Sequence, residues 1–112
     1  MSPMETRVAI QAAFAPLPGQ EAQVETVLRR MVGFTRAEPG CRRYDLFRTE
    51  AGFLLHEVYD DQAALEAHRA AGYFADYRRD IVPLLAWPIT VTALAPLDAA
   101  AGNAAVDGVF GG

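Results

Sequence analysis

Phe53-Leu54-Leu55-His56-Glu57-Val58-Tyr59 reads as a β-strand that is apolar on both faces. Side chains alternate along a strand, so Phe53, Leu55 and Tyr59 point one way and Leu54 and Val58 the other. Glu57 falls in the first set and His56 in the second. A strand apolar on both faces must be covered on both. A carboxylate within it must find a partner or shift its pKa. The double cover and the carboxylate direct the reading of everything around them.

Immediately upstream, residues 41–48 read as a strand with Tyr44 and Leu46 on one side and Phe47 on the other. The short Thr49-Glu50-Ala51-Gly52 link makes an antiparallel hairpin of the two strands. Residues 7–14 read as another strand, in which Val8, Ile10, Ala12 and Phe14 alternate with Ala9, Gln11 and Ala13. Pro16, Pro18 and Gly19 break it. Residues 20–37 follow the helical spacing through Val24, Val27, Leu28, Met31 and Phe34 or Thr35. Glu38-Pro39-Gly40 stops that helix and shapes the turn.

Downstream, Asp60 or Asp61 is suited to cap a helix over residues 62–71, with Ala64, Leu65, His68 and Ala71 on one stripe. Gly72 interrupts it. Residues 73–85 form a second helical piece, with Pro83 near its end. Residues 87–95 close the chain as a strand, with Trp87, Ile89, Val91 and Ala93 facing one way and Thr90 and Thr92 the other.

The order β-α-β-β-α-β predicts an α+β, ferredoxin-like antiparallel sheet with its helices on one face. The other face would be an apolar patch too large for a monomer. A homodimer joined through the sheet faces is the simplest cover. Residues 1–96 are read as the folded domain and residues 97–112 as an Ala/Gly-rich C-terminal tail. Val106, Val109 and Phe110 give the tail a weak apolar anchor, and the partner subunit is the expected surface for it.

Composition narrows the function. The 112 residues are 52% hydrophobic and 21% charged, which suits one globular domain. A net charge of −4 and a pI near 5.0 argue against nucleic acid. No apolar run approaches a membrane span, and residues 1–7 carry no signal-peptide core, so a soluble, cytoplasmic protein is expected. Cys41 is the single cysteine, which leaves no intrachain disulfide and no cysteine-based metal site. His56 and His68 lack the i, i+4 spacing of a helical ligand pair, so no metal is expected.

Glu57 and His68 are the candidate chemical pair, one on the strand and one on the helical stripe that should face it. A carboxylate against an imidazole fixes its tautomer and raises its basicity. The alternative is a buried pair that only holds strand to helix. His56 points away from Glu57, towards the expected dimer interface.

Glu38-Pro39-Gly40-Cys41-Arg42-Arg43-Tyr44-Asp45-Leu46-Phe47 resembles a signature of the antibiotic biosynthesis monooxygenase family. His56-Glu57-Val58-Tyr59-Asp60-Asp61, the Ala63 to His68 stretch and Tyr73-Phe74 are similar to its later motif. Tyr59 stands where many members carry Trp. The resemblance implies a dimeric α+β barrel with a pocket between sheet and helices in each subunit. It implies a cofactor-independent monooxygenase or quinol oxidase that uses O2 on a small phenol, quinol or anthrone. His68 and Glu57 would then be catalytic. Tyr59, Tyr73, Phe74, Tyr77, Trp87 and Arg78 would line the substrate site. Arg78 stands where haem-degrading relatives place a histidine ligand, which argues against haem. A non-enzymatic dimeric binding or accessory protein, or an isomerase of a small carbonyl compound, are the alternatives on this fold.

Overall fold

The computed structural model of the chain describes residues 6–99. The tail anchor expected at Val106, Val109 and Phe110 lies outside these residues. The elements are β1 (Val8–Phe14), α1 (Glu21–Arg36), β2 (Cys41–Arg48), β3 (Phe53–Tyr59), α2 (Gln62–Ala70), α3 (Gly72–Ile81) and β4 (Thr90–Leu94), with a 3-10 turn at Val82–Leu84. The strands form one antiparallel sheet in the order β2-β3-β1-β4. This is the α+β, ferredoxin-like architecture that the element order predicts.

β3 is an inner strand because both its faces bury apolar side chains. Phe53, Leu55, Glu57 and Tyr59 are buried on the helical side. In register they face Phe14, Ala12, Ile10 and Val8 of β1. Tyr44 and Leu46 of β2 complete that face. The layer of helices supplies Val24, Leu28, Met31, Tyr77 and Ile81 to the main core, and Leu65 joins Ile10 and Tyr59 in a smaller cluster. Of the two residues that could end the α1 stripe, Thr35 turns in and Phe34 stays 46% exposed.

Two glycines make the close approaches possible. Gly52 has φ +152°, and a Cβ there would stand 2.2 Å from the Phe14 carbonyl oxygen. A Cβ on Gly40 would stand 2.6 Å from Cβ of Ala64, so the turn after α1 rests directly on α2. β2 carries a bulge between Cys41 and Arg43. The extra residue puts Cys41, opposite Tyr59, and Tyr44, opposite Glu57, on the same side despite their odd spacing.

The last strand departs from expectation. Pairing with β1 covers only Thr90 to Leu94, not residues 87–95. Pro88 has no N–H to give a ladder, and Trp87 sits in a bend, 59% exposed. Val91 lies in register with Ala12 but remains half exposed, because the helices leave this edge of the sheet uncovered. The open face is also less apolar than β1 and β3 alone suggest. A polar row of Asp45, His56, Gln11 and Thr92 crosses it, beside an apolar row of Phe47, Leu54 and Ala13. No helix among the described residues is long and apolar enough to cross a membrane.

Candidate functional site

Three segments converge where β3 ends. α2 starts at Asp61, whose side chain accepts the Ala64 amide at 2.8 Å. Leu65 and His68 then form its buried face. Ala71 is extended, with ψ 142°, and this breaks the helix before Gly72. In one continuous helix, positions five residues apart would diverge by about 140°. The break instead lets His68 and Tyr73 converge on one carboxylate.

That carboxylate is Glu38. His68 Nδ1 lies 2.9 Å from Glu38 Oε2, and the Tyr73 hydroxyl donates to the same oxygen. With Glu38 accepting both bonds, Nδ1 is the ring nitrogen that donates to it. The turn that carries Glu38 is fixed at several points. Arg36 at the end of α1 donates from Nε to the Tyr44 carbonyl at 3.0 Å and pairs with Asp45 at 3.2 Å. The Cys41 amide donates to the Glu38 carbonyl, and the Asp60 amide to the Gly40 carbonyl at 2.8 Å. Gly40 rests on Ala64, and His68 lies one helical turn beyond Ala64 on the same stripe. The Glu38 carboxylate is thereby delivered to the imidazole.

The expected Glu57–His68 contact is not made. Glu57 and Tyr59 are two residues apart on one strand and share a face, so the Tyr59 hydroxyl reaches Glu57 Oε1 at 2.5 Å. This local bond satisfies Glu57, and His68 turns to Glu38. Tyr59 still connects the two, because its ring lies 5.3 Å from the imidazole between centroids. Phe74 meets His68 edge-on at 5.2 Å, and Tyr44 lies at 5.8 Å. His68 is 2% exposed. The result is an imidazole with one carboxylate partner inside a wall of aromatic rings.

Burial dominates the electrostatics. It raises the Glu57 carboxyl to about 7, against the Tyr59 hydroxyl bond and Arg69, which lower it, and with the Glu38 charge adding to the rise. Burial and the Glu57 charge push the Tyr59 phenol up, and burial then Glu38 do the same to Tyr73. Cys41 is raised to about 12 by burial, then by Glu38 and Glu57. Its thiol stays protonated at neutral pH and is a poor nucleophile. Among the described residues no group of three or more His, Cys, Asp or Glu side chains is arranged to hold a metal ion.

Of the aromatic residues expected at a substrate site, Tyr59, Tyr73 and Phe74 gather around His68 and Glu38. Tyr77 joins through Phe74, at 5.4 Å between centroids. Arg78 and Trp87 stay exposed, Arg78 on the outer side of α3 and Trp87 in the bend before β4. Glu38, Tyr44 and Phe34 are the additions. Tyr44 was legible as a neighbour of Glu57 across the hairpin. Glu38 looked like part of a helix stop, and only the packing of the turn on α2 reveals its reach. Phe34 stacks on Tyr73 with centroids 4.9 Å apart and planes 22° from parallel. A groove of about 210 Å³ between α1 and α3 runs beside this pair, lined also by Met31, Tyr77 and Arg30.

Comparison with known proteins agrees with the fold. The sequence profile of a family described as antibiotic biosynthesis monooxygenase matches residues 7–80. The chain is 40% identical over 99 residues to a Mycobacterium tuberculosis protein named "Putative monooxygenase Rv0793", covering 87% of this chain and 98% of that one. The solved structure of that protein superposes with a TM-score of 0.80, covering 85% of this chain and 99% of the other. The structure of PA3566 from Pseudomonas aeruginosa, 32% identical, superposes with a TM-score of 0.77, covering 85% of this chain and 98% of the other. The chain belongs to the antibiotic biosynthesis monooxygenase family.

Proposed function

We propose that the protein is a cofactor-independent monooxygenase or quinol oxidase that acts on a small phenol, quinol or anthrone with O2. The observation that carries this reading is the buried His68, held by Glu38 and walled by Tyr59, Tyr44 and Phe74. A base in such surroundings suits a flat, electron-rich substrate with one acidic proton. The His68–Glu38 pair takes that proton. The resulting anion gives one electron to O2, which leaves a substrate radical beside superoxide. With an anthrone the two combine into a peroxide at the methylene carbon. Loss of water then leaves a carbonyl, so CH2 plus O2 becomes C=O plus H2O. With a quinol, two electrons and two protons pass to O2, giving quinone and hydrogen peroxide. The substrate is the reductant in both cases. Glu57 acts at one remove: by holding the Tyr59 hydroxyl it sets the ring that packs on His68.

The closure of the site favours a second reading. A His68 only 2% exposed and packed among rings also fits a dimeric binding or accessory protein that has no turnover. Oxygen uptake separates the two. Metal-stripped protein is given a menadiol-type quinol or an anthrone, and uptake is followed above the uncatalysed rate. On the enzyme reading it survives chelators and falls about a hundredfold or more in His68→Ala. A smaller but clear loss follows in Glu38→Gln. Uptake equal in wild type and His68→Ala would sink the assignment of the base. No uptake with either substrate class would favour the binding protein.

A further inference from the structure

Tyr73 is itself a phenol seated on the candidate base. Its hydroxyl donates to Glu38 Oε2, the oxygen that also holds His68 Nδ1. Its ring lies nearly parallel to Phe34, 4.9 Å away. The Glu38 side chain keeps 19% of its surface accessible, whereas that of His68 keeps 2%. The groove between α1 and α3 opens along the same two rings. A carboxylate acceptor, an aromatic plane and an adjoining groove are together what recognition of a phenol requires.

We infer that Tyr73 is the internal occupant of a phenol-binding subsite made by Phe34 and Glu38, and that a phenolic substrate enters from the α1–α3 groove by displacing it. The incoming ring takes the stacking position on Phe34, and its hydroxyl takes the bond on Glu38. Tyr73 can leave because it is carried on the first turn of α3, next to the break at Ala71, and is only partly buried. A phenol can in this way meet the His68–Glu38 pair through its carboxylate, without opening the core around the imidazole. It makes Phe34 a specificity residue for flat rings. It also brings Glu38 into direct contact with the substrate hydroxyl. The inference rests on the proposed function for its biological use, but the subsite itself is a matter of binding and is tested without turnover.

The probe is 2-naphthol, followed by titration calorimetry against the full chain, with 2-methoxynaphthalene as the ring that lacks the donor. Tyr73→Phe keeps the ring stack but frees Glu38. It should lower the Kd for 2-naphthol about tenfold, the loss of one competing bond to a charged acceptor. The methoxy compound displaces the same ring but makes no donor bond to Glu38, so it should bind several-fold more weakly than 2-naphthol in wild type and Tyr73→Phe alike. In Glu38→Gln the benefit of Tyr73→Phe should largely disappear. Phe34→Leu should weaken 2-naphthol several-fold with Tyr73 present or replaced. Unchanged or weaker 2-naphthol binding in Tyr73→Phe overturns the subsite. Equal affinity for 2-naphthol and the methoxy ring in Tyr73→Phe, or no measurable binding to any variant, does so too. Oxygen uptake is scored separately. Tighter naphthol binding in a protein that consumes no O2 keeps the subsite and removes the oxygenase reading. Turnover that depends on His68 but is indifferent to Tyr73 and Phe34 does the reverse.

Discussion

Glu57 is a residue whose charge opposes folding. It is buried on an inner strand with one hydroxyl partner, and its carboxyl is raised from 4.5 to about 7. Below about pH 4.5 it is protonated in folded and unfolded chains alike. Between 4.5 and 7 the folded chain keeps a proton that the unfolded chain has lost, so stability falls as pH rises through that window. Above it the cost levels off, on the order of 3 kcal/mol. Glu57→Gln should therefore flatten the decline between pH 5 and 8 when unfolding by urea is compared across pH. A decline of the same slope in the variant would assign the effect to another group. The residue also shows how far a sequence reading reaches. A carboxylate in a doubly apolar strand announces its own burial, and that much was legible. Its partner was not, because a bond to Tyr59 two positions away and a bond to His68 across the fold satisfy the same requirement.

Among the elements, the turn between α1 and β2 does the most to build the site. Strand and helix periods located the helices and the first three strands, since each of these has a buried face with a clear spacing, whereas β4 is exposed along nearly its whole length. The places where the chain leaves its period were less legible. Pro88 shortens β4 and the bulge near Cys41 adds a residue to β2, whereas the division of the helical segment at Ala71 lies one residue from the interruption read at Gly72. The first follows from the missing N–H of Pro88, while the bulge has no marker in the residue pattern. Gly40 tests the importance of the turn. A methyl group there meets Ala64 at 2.6 Å, so Gly40→Ala should destabilise the fold by about 1–3 kcal/mol. It should also lower whatever activity depends on His68, since the Glu38 turn moves off α2. Ala64→Gly costs about 1 kcal/mol in the helix but makes room for that methyl. The double variant should then be more stable than the two single losses add up to, as measured by thermal melting in a double-mutant cycle. Strict additivity would mean that the turn yields elsewhere.

At the scale of the whole molecule, the open face of the sheet is the surface left to cover. We expect it to meet the same face of a second copy, giving a dimer through a two-fold axis. Phe47 is 51% exposed there, and the His56 Nε2 atom is buried without a partner in one chain. The polar row through the face implies that such an interface is partly hydrogen-bonded, not a plain apolar seam. Phe47→Glu should shift sedimentation from dimer to monomer while leaving the far-UV circular dichroism unchanged. A wild-type chain that sediments as a monomer at micromolar concentration would remove this expectation. The exposed bend before β4 has a consequence for the bench. Trp87 is the sole tryptophan, and it lies outside the core. Its fluorescence in a lone chain should already be red, close to that of indole in water, and unfolding by denaturant should change it little. Tyrosine absorbance or dichroism will follow folding better. For the same reason, a blue shift of the emission as the protein is concentrated would be a direct optical signal that a neighbouring molecule has closed over the bend.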